Sequence, residues 1–432
     1  MTRMHPHSFH GKHRLLMPCQ AMLLCSLACF CAIPLSAQPP TGRTAWWREA
    51  GFGMFIHWGV YSREGRGEWI LYQEHIPLAE YRLLAEKFQP REYRPAEWVA
   101  LAKEAGMKYM VITTRHHDGF CLYDSRVSDF TAQKTGPRRD LIAEFAEACH
   151  REGMRLGFYY SLQDWRFPGV LPHGGPLSRE ILEPMVQQAH QQVRELLTRY
   201  GKVDILWFDG LWPADPEAWR SKELCAMARK LQPEILINDR AGLPEDFSTP
   251  ENVVAAQGRP WESCFTMNRT WGYAPYDRNY KPVHEIIRLL ASCASQRGNL
   301  LLNVSPDGDG RIPVEQVETL RRVGQWLKQY GKAIYGAGPS PVIAPNLGFS
   351  GRVGNKVYLF LQRWPGSTLP FAWCGSRVQS ARLLADGRTA HVEQKDDRVW
   401  IRGLPDYPPD PYMNVLELEF DGEPKGTVPA YR

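Results

Sequence analysis

The run ILWFDGLW (205–212) is apolar enough for a protein interior, yet it carries one carboxylate, Asp209, between Phe208 and Gly210. An ionised group buried without a partner costs several kcal/mol, so an acid kept there needs a cation beside it or a task. With glycine next to it at a strand end, Asp209 has little bulk on one flank. In a glycosidase such a group attacks an anomeric carbon; in an ordinary fold it caps a helix or pairs with an arginine. Histidines form a second set. TTRHHDGFCLYDS (113–125) sets His116 and His117 side by side, and His57 follows another strand-like run. Neutral imidazoles donate and accept, which suits sugar hydroxyls. Neighbours on an extended strand point opposite ways, so both reach one ligand only from a loop. Metal ligation, with His57 as third ligand, is the competing use, but the chain has no H-E-x-x-H helix. Asp307 and Asp309 in SPDGDGRIP lack the third acid and closing glutamate of a calcium loop and read as a tight turn.

These side chains need a frame. Six strand-like runs, GFGMFIHWG (51–59), YMVITT (109–114), RLGFYYS (155–161), DILWFD (204–209), EILIND (234–239) and NLLLNVS (299–305), alternate with longer amphipathic stretches, several ending in glycine. Near-continuous apolar strands separated by helices describe a parallel sheet covered on both faces. His57, His116, His117, Asp209, Asp239 and Arg240 all fall just past the C-terminal ends of different strands, the rim where barrel enzymes gather catalytic groups. No G-x-G-x-x-G follows the first strand, which argues against a dinucleotide fold. The expectation is an α/β protein: a (β/α)8-like, TIM-type barrel over 38–338. Beyond AIYGAGPSPVIAPN (333–346) the pattern turns to alternating apolar and polar residues with turn signals, predicting a C-terminal β-sandwich over 339–432.

The 432 residues suffice for one large and one smaller domain. A net charge of +5 is spread out, with no Lys/Arg run of the kind that binds nucleic acid. Aromatics make up 12% and include 15 Trp, whose indoles either pack on sugar C–H faces or fill cores. Residues 1–37 combine a basic, His-rich start with an apolar run ending in small residues before Gln38-Pro-Pro. They read as a signal peptide cleaved after Ala37, which places the mature chain in the periplasm or outside the cell. The apolar run is about 17 residues, short for a membrane span, and no other stretch could serve. Four of ten cysteines leave with this segment; the six that remain form no C-x-x-C pair and are expected mostly as buried free thiols.

In chain order GFGMFIHWGVYS, GEW (67–69), TTRHHDGF, GFYYSLQDW, LWFDG, NDR, STPE, WESCFTMNRTWGY and GNLLLNVSPDGDG together resemble the α-L-fucosidases of glycoside hydrolase family 29. The resemblance spans roughly residues 44–340, and more weakly the sandwich that often follows that barrel. It implies a retaining exo-glycosidase that removes terminal α-L-fucosyl residues from a fucosylated oligosaccharide or glycoconjugate, without metal or organic cofactor. It makes Asp209 the nucleophile. Trp207 would contact the sugar, and His57, His116 and His117 would hold its hydroxyls. Arg240 and Tyr159 complete the pocket, with Tyr160 as the alternative tyrosine. Glu68 resembles a sugar-binding acid found in part of the family. The acid/base is Glu251 in STPEN, at a spacing from Arg240 close to that of members with a T-x-E segment, or else Glu262 in PWESC; Glu251 is preferred. Its ordinary alternative is an acid at a helix N-terminus after Pro250. Two further functions fit the same residues: hydrolysis of a related sugar such as an α-L-galactoside, and carbohydrate binding without catalysis.

Overall fold

The computed structural model describes residues 42–171 and 174–427; the leader expected at 1–37 lies outside them. Helix α1 (Ala45–Ala50) leads into β1 (Phe52–Ile56). Between β1 and β2 (Tyr109–Arg115) lie α2 (Tyr61–Glu64), α3 (Ile70–Gln73), α4 (Leu78–Glu86) and α5 (Pro95–Glu104). The alternation continues with α6 (Leu141–Arg151), β3 (Arg155–Ser161), α7 (Arg179–Arg199), β4 (Ile205–Asp209), α8 (Ser221–Leu231) and β5 (Leu236–Ile237). It ends with β6 (Glu262–Phe265), α9 (Val283–Ser295), β7 (Asn299–Val304) and α10 (Val314–Tyr330). The strands form one parallel sheet in the order β5-β4-β3-β2-β1-β7-β6.

Between the edge strands β5 and β6 runs segment 247–251. It makes single parallel bridges on both sides, Phe247 with Asn238, Ser248 with Trp261 and Glu251 with Cys264. The N–H of Cys264 donates to Pro250 O (3.1 Å) and that of Glu262 to Ser248 O (2.9 Å). This segment is the eighth stave. Pro250 has no N–H to give, so the ladder there reduces to isolated bridges. The expected barrel is present, with its helices thinned on this one side.

Strand alternation sorts the side chains. Phe55, Tyr109, Val111, Tyr159, Ile205, Trp207 and Leu301 fill the barrel interior, while Met54, Ile56, Met110, Ile112, Phe158, Tyr160, Leu206 and Phe208 pack against the helices. Trp47 of α1 belongs to the interior cluster. Gly53 of β1 leaves room for the Tyr109 ring, which a Cβ would meet at 2.3 Å.

The C-terminal region adds β8 (Gly338–Pro339), β9 (Gly348–Val353), β10 (Lys356–Leu361), β11 (Thr368–Phe371), β12 (Val378–Leu383), β13 (Thr389–Lys395), β14 (Arg398–Arg402) and β15 (Asn414–Phe420). They form an eight-stranded sheet in the order β11-β14-β13-β12-β15-β10-β9-β8. In β13, Thr389 and Ala390 pair with β12, and His391–Lys395 pair with β14. The sheet thus passes from one layer to the other at this strand, and Leu369, Val399 and Ile401 share a core with Val357, Leu359 and Leu416. A sandwich results. Alternate residues of β10 face the other way: Tyr358 and Phe360 join the core of the barrel helices. All six cysteines of the described residues are buried and unpaired.

Candidate active site

Ile205, Trp207 and Asp209 occupy one face of β4, so Asp209 enters the barrel mouth from its wall. Gly210 follows at φ 69°, where a Cβ would lie 2.9 Å from Ser161 Oγ, so glycine is what lets the chain turn away here. Asp209 is not left unpaired. Tyr159 O–H donates to Oδ2 (2.9 Å), Arg240 Nη1 donates to Oδ1 (3.1 Å), and His117 Nε2 stands 3.7 Å from Oδ2. Burial alone pushes the carboxyl up; the Arg240 charge first, with the neighbouring His117 and the two hydrogen bonds, outweighs it and holds Asp209 below its usual range.

Arg240 sits in a short 3-10 turn (Asp239–Ala241) after β5. Its Nη2 donates to Glu251 Oε2 (2.8 Å) and its Nε to Thr249 Oγ1 (3.0 Å), so one guanidinium spans both carboxylates. The same group lies 4.6 Å over the Trp207 ring, which stacks on Tyr159. Glu251 ends the eighth stave and also accepts from Trp271 Nε1 (3.1 Å). Its side chain is 40% exposed against 11% for Asp209, which puts one acid at the mouth and the other on the floor.

The histidines converge as well. A register shift in β2 between Thr113 and Arg115 precedes His116 and His117, and both reach the cavity with their rings 4.1 Å apart. Arg115 instead donates to the carbonyls of Ser161 (2.8 Å) and Gln163 (2.7 Å). His57 Nδ1 lies 2.7 Å from Asn303 Oδ1, and Asn303 Nδ2 donates to Trp271 O, so His57 carries its proton on Nδ1. Burial pushes His57 down to about 3, against the opposing pull of Asn303 and Asp209. It pushes His117 down to about 4 and His116 well below its ordinary value. All three are neutral at pH 7. His116 Nδ1 and the Trp212 indole N–H are buried with no partner, two polar groups left for a ligand to satisfy.

The remaining sequence candidates fall elsewhere. Tyr160 faces outward and donates to Gln192 of α7 (2.8 Å). Glu262 is fully buried beneath the floor, accepting from Tyr109 O–H, Trp207 Nε1 (3.2 Å) and Trp47 Nε1 (3.3 Å). Burial raises it to about 7, against those three hydrogen bonds. Glu68 is buried and accepts the N–H of Gly272 (2.7 Å), holding the loop that carries Trp271. Asp239 accepts from Thr249 O–H (3.1 Å). Asp307 closes a tight turn by accepting the N–H groups of Asp309 and Arg311. Among the described residues no group of three or more His, Cys, Asp or Glu is arranged to hold a metal ion. Sequence reasoning assigned no role to Trp69, Trp212, Trp271 and Cys264, which also line the cavity. The three indoles lay inside quoted motifs, but nothing in the sequence separates a lining tryptophan from a packing one.

A barrel whose mouth joins two carboxylates through one arginine, beside neutral imidazoles and indole faces, has the equipment of a glycoside hydrolase. Residues 37–332 match the family described as Alpha-L-fucosidase, and the chain belongs to that family, glycoside hydrolase family 29, and with it to the retaining glycoside hydrolases. It is 32% identical to the tissue alpha-L-fucosidase of Rattus norvegicus over 89% of this chain and 87% of the rat protein. Among solved structures, alpha-L-fucosidase isoenzyme 1 from Paenibacillus thiaminolyticus superposes with a TM-score of 0.83 at 37% identity, covering 88% of this chain and 99% of that one. A family 29 alpha-L-fucosidase from Bacteroides thetaiotaomicron, trapped as a covalent intermediate with 2-fluoro-fucosyl fluoride in a Glu-to-Gln variant, superposes at 0.80 with 27% identity, covering 90% and 100%.

Proposed function

We propose that this enzyme hydrolyses terminal α-L-fucosyl bonds of fucosylated oligosaccharides or glycoconjugates with retention, using Asp209 as nucleophile and Glu251 as acid/base. The observation that carries the assignment is the Arg240 bridge, which ties one buried and one exposed carboxylate to the same cavity. In the first step an Asp209 oxygen bonds to the anomeric carbon. The glycosidic bond breaks, and its oxygen takes the Glu251 proton and departs as an alcohol. In the second step Glu251 removes a proton from water, the water oxygen bonds to the same carbon, and the ester to Asp209 breaks. Ester formation consumes the charge of Asp209, leaving Arg240 to stabilise the Glu251 carboxylate that activates water. His57, His116 and His117 hold the sugar hydroxyls, Trp207 carries an apolar face, and Glu68 keeps Trp271 in place over the cavity.

Glu262 has no route to a leaving group from beneath Trp207, which favours Glu251. We read 1–37 as an export leader, 38–338 as the catalytic barrel and 339–432 as the sandwich, in an enzyme that works in the periplasm or outside the cell. Among the described residues no helix is long and apolar enough to cross a membrane. The test is turnover of an aryl α-L-fucoside, followed by labelling with a 2-fluoro-fucosyl fluoride and peptide mass mapping. Release of the aryl alcohol and a label on the peptide containing Asp209 are expected. No turnover, or a label on another carboxylate, defeats the assignment.

A further inference from the structure

Beside the active-site mouth lies a second recess, of about 210 Å³, that the catalytic reading leaves unused. One wall is aliphatic: Ile76 and Leu78 from the chain after α3, and Leu171 from the loop between β3 and α7. The other is aromatic: Tyr72, His75 and Trp165. Leu78 and Leu171 are 42% and 49% exposed, so apolar side chains are left wet next to a working cavity.

The two cavities are joined by rings. His117 and Trp69 line the catalytic cavity, and each packs on Trp165, at 5.2 Å and 5.3 Å between ring centroids. Trp165 continues to Tyr72 at 5.9 Å, and Tyr72 to His75 at 6.3 Å. The junction is braced. The backbone N–H of Trp165 donates to His117 O (2.8 Å), and its indole N–H to Gln163 Oε1 (2.8 Å). The neighbouring Asp164 is buried between Arg166 (2.6 Å) and Arg115 (3.4 Å). The aromatic wall is thus set in place before any ligand arrives, which lowers the entropy lost on binding to it.

Its occupant follows from position and chemistry. Asp209 lies on the cavity floor, so whatever the scissile oxygen carries must leave past the mouth residues Trp69, Trp212, Trp271 and Glu251. Of these, Trp69 leads into the recess. Among the described lining side chains the Tyr72 hydroxyl and the His75 ring are the polar groups left for a ligand, since the Trp165 indole N–H is taken by Gln163, and two are too few for a hydroxyl-rich sugar. Resting on the active-site reading above, we propose that this recess binds an apolar aglycone, an aryl or alkyl group carried on the leaving oxygen.

Methyl and octyl α-L-fucosides test this, because their leaving alcohols are chemically alike and differ in apolar reach. The octyl compound is expected to show a KM about tenfold lower. Tyr72→Ala and, separately, Leu171→Ser should erase that advantage while α-L-fucosyl fluoride, which carries no aglycone, is turned over within about twofold of wild type. Using two variants keeps the test decisive if one fails to fold. Equal constants for methyl and octyl overturn the recess as a site, as does an advantage that survives both variants. A fucosylated disaccharide favoured over octyl overturns its apolar character. Failure of the wild type on the fluoride strikes the active-site assignment instead, so the two readings fall to different results.

Discussion

At the scale of single residues, the proposed active site is an electrostatic arrangement around Arg240. Asp209 is buried enough that desolvation would lift it, and it stays ionised because Arg240, His117 and Tyr159 act against that. Arg240→Ala removes the largest of these opposing influences. The acid limb of kcat/KM, which reports the free enzyme, should then move to higher pH, and an unchanged limb would detach Arg240 from Asp209. The two glutamates separate by leaving group. Glu251→Ala should slow substrates with poor leaving groups by about 10²–10⁴-fold, spare activated aryl fucosides, and be restored by azide. Glu262→Gln keeps the side-chain volume but replaces an acceptor by an amide N–H₂ beneath Trp207 or Trp47. It should cost about 1–3 kcal/mol of stability, slow every leaving group by the same factor and gain nothing from azide. The opposite pattern would exchange their roles.

At the scale of elements, alternation along a strand decides which neighbour serves. Tyr159 and Tyr160 are adjacent on β3, yet one donates to Asp209 and the other to Gln192 on α7. Tyr159→Phe should lower kcat with little loss of stability. Tyr160→Phe should leave kcat intact and cost about 1 kcal/mol in chemical denaturation. Six barrel strands were legible because their apolar runs follow amphipathic helices, even β5, which is only two residues long. β6 and the stave 247–251 were not. ESCF is only four residues long, and FSTPE carries a proline, so neither has the apolar length that marks a buried strand. Glu251 was found by its motif, but its place in the barrel wall depends on bridges that no local pattern encodes. Asp209, by contrast, stood out because an acid at the end of a greasy strand is costly. The paired histidines were legible as residues, and the strand irregularity that precedes them was not.

At the scale of the whole molecule, barrel and sandwich share a core. β10 is apolar on both faces, with Val357, Leu359 and Leu361 turned into the sandwich and Tyr358 and Phe360 toward the barrel helices. The junction is also hydrogen-bonded: Trp326 Nε1 of α10 donates to Met413 O (3.0 Å), and Lys332 pairs with Glu417 (2.6 Å). The sandwich therefore finishes the outer layer of the barrel, and neither part presents a water-compatible face without the other. Unfolding should be a single transition when followed by probes in each part. Phe360→Ala tests the coupling where it is apolar. It empties a fully buried site and should cost about 3–5 kcal/mol, moving both probes together to lower denaturant while kcat, measured where the fold is intact, stays close to wild type. If the sandwich probe moves alone, the two parts fold independently, and the shared core contributes nothing to holding the active-site barrel.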